Sequence, residues 1–256
     1  MKIDYSISLW NYTHYASAPS LERILARVRE QGYGVELWGA WRDEPDLYGQ
    51  AARPRLKTAL RGMPVTLHTA IVNTLDLHKK QIDAAADLGA PVLVLHPNDL
   101  YALDSRELDV TLANAVVAYA QARGVRLALE NGQLGFLVQA IEKIAGLNIC
   151  LDVGHVYLTP EPMSKFLDAL KTKIIHLHLQ DLATEPEVRL RFPETGVDHY
   201  TLGAGGIPRQ DWELVFATLA EIDFSGAAVF EIQPYNPLQT ASQSRRFLER
   251  LGLTSS

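Results

Sequence analysis

Along the 256-residue chain, short apolar runs alternate with longer stretches in which apolar positions recur every three to four residues. The short runs, rich in Val, Ile, Leu and aromatic residues, predict strands at "IDYSISLW" (3–10), "GVELW" (34–38), "PVTLH" (64–68), "PVLVLH" (91–96), "VRLALE" (125–130), "NICLD" (148–152), "IIHLHLQ" (174–180) and "AAVFEI" (227–232). The longer stretches predict helices near 20–31, 45–61, 75–88, 105–123, 134–145, 163–172, 209–221 and 239–251. "SLERI" after Pro19 and "DSREL" at 104–108 supply helix starts, and Gly32, Gly89, Gly124 and Gly146 supply stops. Eight strand–helix units in strict alternation, with no Pro/Ser-rich linker, predict one domain over 1–256. Its expected fold is α/β, a single (β/α)8 TIM barrel. A doubly wound open sheet is the alternative, but the first strand–helix turn lacks the Gly-rich dinucleotide fingerprint.

Composition adds limits. An apolar share of 47% is enough for a core of this size, and a net charge of −6 gives no global positive field to attract nucleic acid. A local basic groove stays compatible with that charge. Cys150 is the only cysteine, which excludes an internal disulfide, and a free thiol suits a reducing cytoplasm. The start "MKIDYSISLW" lacks the basic and long apolar regions of a signal peptide, and no apolar run reaches membrane-spanning length. The expectation is a cytoplasmic protein without a membrane partner; an oligomer is compatible with the sequence.

Chemistry concentrates at the strand ends. Strand three ends in His68, strand four in His96, strand five in Glu130 and strand six in Asp152, while strands seven and eight carry His178 and Glu231. If the strands close into a barrel, these residues share the rim where active sites of this architecture lie. Each alone has a plainer role: Asp152 as a helix cap, Glu231 in an ion pair, a histidine as a satisfied loop residue. Together, carboxylates and imidazoles buried around one axis would repel and lose hydration at a cost of many kcal/mol without a cation. A divalent metal (Mn²⁺, Mg²⁺, Co²⁺ or Zn²⁺) removes that cost and explains the mixed oxygen and nitrogen ligands.

The motifs "LHTAIVN", "VLHPND", "LALEN", "CLDVGHVY", "HLHLQD", "DHYTLGAGGIP" and "FEIQP" resemble the strand ends of the xylose-isomerase-like TIM-barrel superfamily, which holds sugar isomerases and epimerases as well as endonuclease IV. The resemblance implies Glu130, Asp152, His178 and Glu231 as a shared metal site. In the epimerase branch it also makes Glu130 and Glu231 the acid/base pair and places His155 against substrate hydroxyls. In the endonuclease branch it makes Glu130 a bridge to a second metal held by His68 and His96. A third metal would take His155 and an Asp-x-His pair ending in His199. Valine stands at 197 where that aspartate belongs, and the adjacent Asp198 is expected to project differently, so eight of nine ligands are present.

Other residues fit a polyol pocket. Trp10, Trp38 and Trp41 follow strands one and two, placed to stack on a sugar or to cap the rim. Arg189 and Arg191, after strand seven, are placed to meet a substrate carboxylate or phosphate, or serve as surface charges; His199 and His14 are further pocket candidates. Glu36 is read as an orienting or structural partner, and Cys150 as a small core residue. In "KIIHLHLQD", Ile175, Leu177 and Leu179 should face the helices, while His176, His178 and Gln180 face the axis. His178 is the expected ligand, His176 a deeper support, and Asp181 an orienting residue beyond the strand.

Three functions are carried forward: a metal-dependent isomerase or epimerase of a small sugar or polyol, with Glu130 and Glu231 transferring the proton; an endonuclease-IV-like zinc phosphodiesterase acting on abasic DNA; and a barrel that binds metal or ligand without turnover. The small carbohydrate is the partner favoured over nucleic acid, because an acidic chain lacks the phosphate-neutralising charge that DNA binding draws on.

Overall fold

The computed structural model describes residues 1–13, 19–41, 46–70, 73–102, 105–183, 198–233 and 236–253. Eight parallel strands close in sequence order into a barrel: β1 (Lys2–Ser8), β2 (Gly34–Trp38), β3 (Val65–His68), β4 (Val92–Leu95), β5 (Arg126–Glu130), β6 (Asn148–Asp152), β7 (Ile174–Leu179) and β8 (Ser225–Phe230). The last strand returns to the first, with Tyr5 opposite Ala228 and Ile7 opposite Phe230.

Side-chain alternation divides the strands into two faces. Ile7, Val35, Leu37, Leu67, Leu93, Leu95, Leu127, Leu129, Leu151, Leu177, Leu179 and Phe230 join the main core between strands and helices. The opposite face holds Ser6, Ser8, Glu36, Thr66, His68, Glu130, Asp152, His176 and His178, all buried, around a small apolar cluster of Val92, Val94, Ala128 and Cys150. Strands that would read as uniformly buried in most parallel sheets therefore carry polar residues on their axial face.

Side chains cap the helix starts where they reach the backbone. Ser20 accepts from Arg23 N at the start of Leu21–Glu30, and Thr74 from Leu77 N at the start of Leu75–Leu88. Gly32, Gly89, Gly124 and Gly146 all adopt left-handed φ after their helices, at 74°, 75°, 71° and 89°.

Some boundaries and one facing depart from expectation. The helix sought from 105 begins at Val110, because Asp109 rather than the "DSREL" aspartate caps it, accepting from Leu112 N at 2.9 Å. Asp104 lies outside the described residues. The helix sought over 45–61 is confined to Arg53–Ala59, with Pro54 in its first turn. Strand one stops at Ser8, and Trp10 opens a short helix to Thr13. On β7, Ile175 does not join the outer core: the register with β6 shifts between Ile149 and Cys150, and Ile175 packs against the axial cluster while Ile174 joins the helices.

Candidate metal centre

Glu130, the last residue of β5, is the hub of the carboxyl-end rim. Its Oε1 lies 3.1 Å from His155 Nδ1 and 3.2 Å from His178 Nδ1, and its Oε2 lies 3.5 Å from both His68 Nε2 and His96 Nε2. One carboxylate thus faces two donor groups at once.

Backbone register and hydrogen bonds hold the neighbours in place. Asp152 pairs with His178 across β6 and β7, and their side chains approach to 3.8 Å. Asp152 also performs its plainer role, its Oδ1 accepting from His155 N at the start of the short helix Val153–Val156. Its Oδ2 accepts from Gln180 Nε2 at 2.7 Å, and Asn131 Oδ1 accepts from the Asp152 backbone N–H. Glu231 sits one residue beyond β8, not on it as expected, but its N–H continues the ladder to Leu179 O. Its Oε2 is 3.3 Å from His178 Nδ1, and its Oε1 accepts weakly from Ser8 Oγ. Neither Asn131 nor Ser8 is assigned a role by the strand-end pattern; the signals for them are the Asn that closes "LALEN" and the alternating serines of "SIS".

Donor atoms of Glu130, Asp152, His178 and Glu231 lie within 4.8 Å of one another, and so do those of His68, His96 and Glu130. One level deeper, Glu36 Oε2 accepts from His176 Nε2 at 2.8 Å and from Thr66 Oγ1 at 3.1 Å. His176 and Cys150 lie within donor distance of His178, although burial pushes the Cys150 thiol well up and keeps it protonated.

The electrostatics show how strained this set is without a cation. Burial would raise Glu231, yet His178 overrides it and draws the carboxyl down to about 2. Glu130 is likewise held well below its ordinary value, burial being outweighed by His155, His178 and His68. Asp152 goes the other way: burial, with Glu130 and Glu231 nearby, raises it to about 6 despite His155. Burial lowers His96, with His68 beside it, whereas the carboxylates of Asp152, Asp198 and Glu130 lift His155 well above the usual histidine range against burial. Three buried carboxylates balanced by shared imidazolium protons form a donor set suited to a divalent ion, so the residues present fit such a metal.

A third group corrects the sequence expectation for Asp198. His155, Asp198 and His199 bring donor atoms within 4.8 Å of one another, and Asp198 Oδ2 lies 3.8 Å from both imidazoles. Neighbours on an extended chain point to opposite sides. Here His199 adopts φ 62°, the left-handed conformation, and this turn brings its ring back toward Asp198. Gln180 fixes the turn by accepting from His199 N at 2.6 Å. Asp181 acts on backbone: its carboxylate accepts from the N–H groups of Leu182, Gly203, Gly205 and Ile207, anchoring the glycine-rich loop beyond the strand.

Aromatic walls complete the rim. Trp10 packs tilted against His199 with ring centroids 4.4 Å apart, and Trp38 likewise against His68 at 4.9 Å. Trp41 is buried. His14, Arg189, Arg191 and Val197 lie outside the described residues.

A family model described as a xylose isomerase-like TIM barrel matches residues 25–251. Solved structures with the same fold include a D-tagatose 3-epimerase-like protein, 18% identical, with TM-score 0.72 and 97% of each chain covered. An L-ribulose 3-epimerase is 16% identical, with TM-score 0.72, covering 97% of this chain and 94% of its own. A Thermus thermophilus protein, soaked with ZnCl2, is 24% identical, with TM-score 0.68 and 100% of both chains covered. No curated protein matches the chain at a significant level.

Proposed function

Because the chain belongs to the xylose isomerase-like TIM-barrel family, we propose that it is a divalent-metal-dependent isomerase or epimerase of a small sugar or polyol. The observation that carries this reading is the approach of Glu130 and Glu231, from strands three apart around the barrel, to the same His178 nitrogen at 3.2 and 3.3 Å. The sugar 3-epimerases among the solved structures support a carbohydrate substrate.

A metal held by Glu130, Asp152, His178 and Glu231 would supply a Lewis acid that polarises the substrate carbonyl and acidifies the C–H on the adjacent carbon. Proton transfer belongs to the chain. Epimerisation removes a proton on one face of a carbon and returns one on the other, and Glu130 and Glu231 provide a carboxyl group for each. Trp10 and Trp38 give the substrate apolar walls, and His155, 22% exposed, is placed to contact its hydroxyls.

The expected outcome is deuterium wash-in from solvent at an exchangeable carbon of the correct ketose. In Glu130→Gln and Glu231→Gln it should fall by about a hundredfold or more. Exchange that persists in both variants would remove the glutamate pair from the mechanism.

A second reading rests on the division of Glu130 between two donor groups and on the His155–Asp198–His199 set. Phosphodiester hydrolysis needs cations at the attacking and leaving oxygens, and three adjoining donor sets give the chain places for more than one. Two or three tightly held zinc ions per chain, with nicking of an abasic-site oligonucleotide, would favour it over the first. Bound metal with neither exchange nor nicking would leave a non-catalytic binding barrel.

A further inference from the structure

Glu36 is a fully buried carboxylate on the axis of the barrel, one level below the rim. Such a group is costly unless each oxygen is satisfied, and the axial face also carries the apolar Val94 and Ala128. Its oxygens are divided. Oε2 accepts from His176 Nε2 and Thr66 Oγ1, while Oε1 lies 3.0 Å from His178 Nε2. Oε1 and His178 Nε2 face each other at that distance without an aligned hydrogen bond, and neither has another partner among the described residues, so a small turn of the ring would let one proton between them satisfy both. The other nitrogen of the same ring, Nδ1, faces Glu130, Glu231 and Asp152 at 3.2, 3.3 and 3.8 Å. His176 Nδ1 is also unpartnered, so the polar work of that ring is its bond to Glu36.

We infer that Glu36 is a positioning residue for the rim: it keeps a proton on His178 Nε2 and the ring turned so that Nδ1 is the ligating atom, while His176 and Thr66 hold Glu36 in place. The inference rests on the reading of Glu130, Asp152, His178 and Glu231 as a metal site. Orienting partners of metal-bound histidines act through ring orientation and basicity.

The experiment pairs Zn²⁺ affinity, by competition calorimetry, with ¹⁵N NMR of histidine-labelled protein. In the zinc-loaded wild type, His178 should show a protonated Nε2 and a metal-bound Nδ1. Glu36→Leu should weaken Zn²⁺ binding about 10- to 100-fold and give a mixed or reversed ring. Glu36→Gln, which keeps the shape but loses the charge, should lose less. His176→Gln, which retains an amide donor for Glu36, should bind more tightly than His176→Leu.

Zinc on Nε2 in the wild type, or a folded Glu36→Leu with unchanged affinity and unchanged ring, would overturn the inference. If the wild type binds no zinc, the metal reading fails separately, and the metal-free spectrum decides: an exchange-protected His178 Nε2–H supports Glu36 as its acceptor, and its absence overturns that role. If the Leu variants do not fold, the wild-type spectra and the Gln variants give the answer.

Discussion

Asp152 shows at a single residue how the rim exchanges stability for binding. Burial raises its carboxyl from 3.8 to about 6. A carboxyl raised on folding contributes stability that is complete below its unfolded value and lost as pH rises through the folded one. The metal-free protein should therefore lose on the order of 3 kcal/mol through this group between about pH 4 and pH 6. Asp152→Asn should flatten that loss and raise the melting temperature of the metal-free protein at pH 8, while weakening divalent-metal binding. A melting profile identical to wild type across this range would contradict the assignment. The same residue marks how far side chains were legible in sequence. Glu130, Asp152, His178 and Glu231 could be placed together because strand parity and strand ends are one-dimensional patterns. Asp198 could not, because its position depends on a left-handed turn at His199, a conformation that non-glycine residues seldom adopt and no pattern announces.

At the scale of elements, the rim depends on a loop fastened by one side chain. Asp181 follows β7 and collects four backbone N–H groups, and its own backbone bridges to Tyr200, next to His199. A Cβ at Gly205 would strike the Asp181 carboxylate, which explains a glycine there without invoking chain flexibility. Asp181→Ala should cost about 2–4 kcal/mol, since several buried donors lose a charged acceptor. It should also release metal from the His155–Asp198–His199 group before the Glu130-centred sites; denaturant unfolding and metal titration check both effects, and equal loss from all sites would contradict the loop's selective role. Strand existence and order were readable, because alternation and capping are local. Boundaries were read less well where a nearby competitor decides them: Asp109 over the earlier aspartate, Pro54 within the helix sought over 45–61, and the β6–β7 register shift that turns Ile175 inward.

Over the whole molecule, a continuous apolar shell between strands and helices lets the axis carry charge. Glu36, Glu130, Asp152, His176 and His178 are all nearly or fully buried, at 0–2% exposure, in a chain whose outer core needs none of them. No helix among the described residues is long and apolar enough to cross a membrane. Such an axis should be stabilised by its ligand more than by its own packing. Saturation at about 100 times the dissociation constant adds roughly 2.7 kcal/mol, so Mn²⁺ or Zn²⁺ should raise the melting temperature by about 5–10 °C, and chelation should reverse it. The central claim is that the rim is a divalent-metal centre built on Glu130. Its most direct test is the number of divalent ions per chain, measured by native mass spectrometry after loading with Mn²⁺, Co²⁺ or Zn²⁺, in wild type and in folded Glu130→Gln. At least one ion in the wild type, lost in the variant, is the expected result; an empty wild type, or a variant that binds equally, would contradict it.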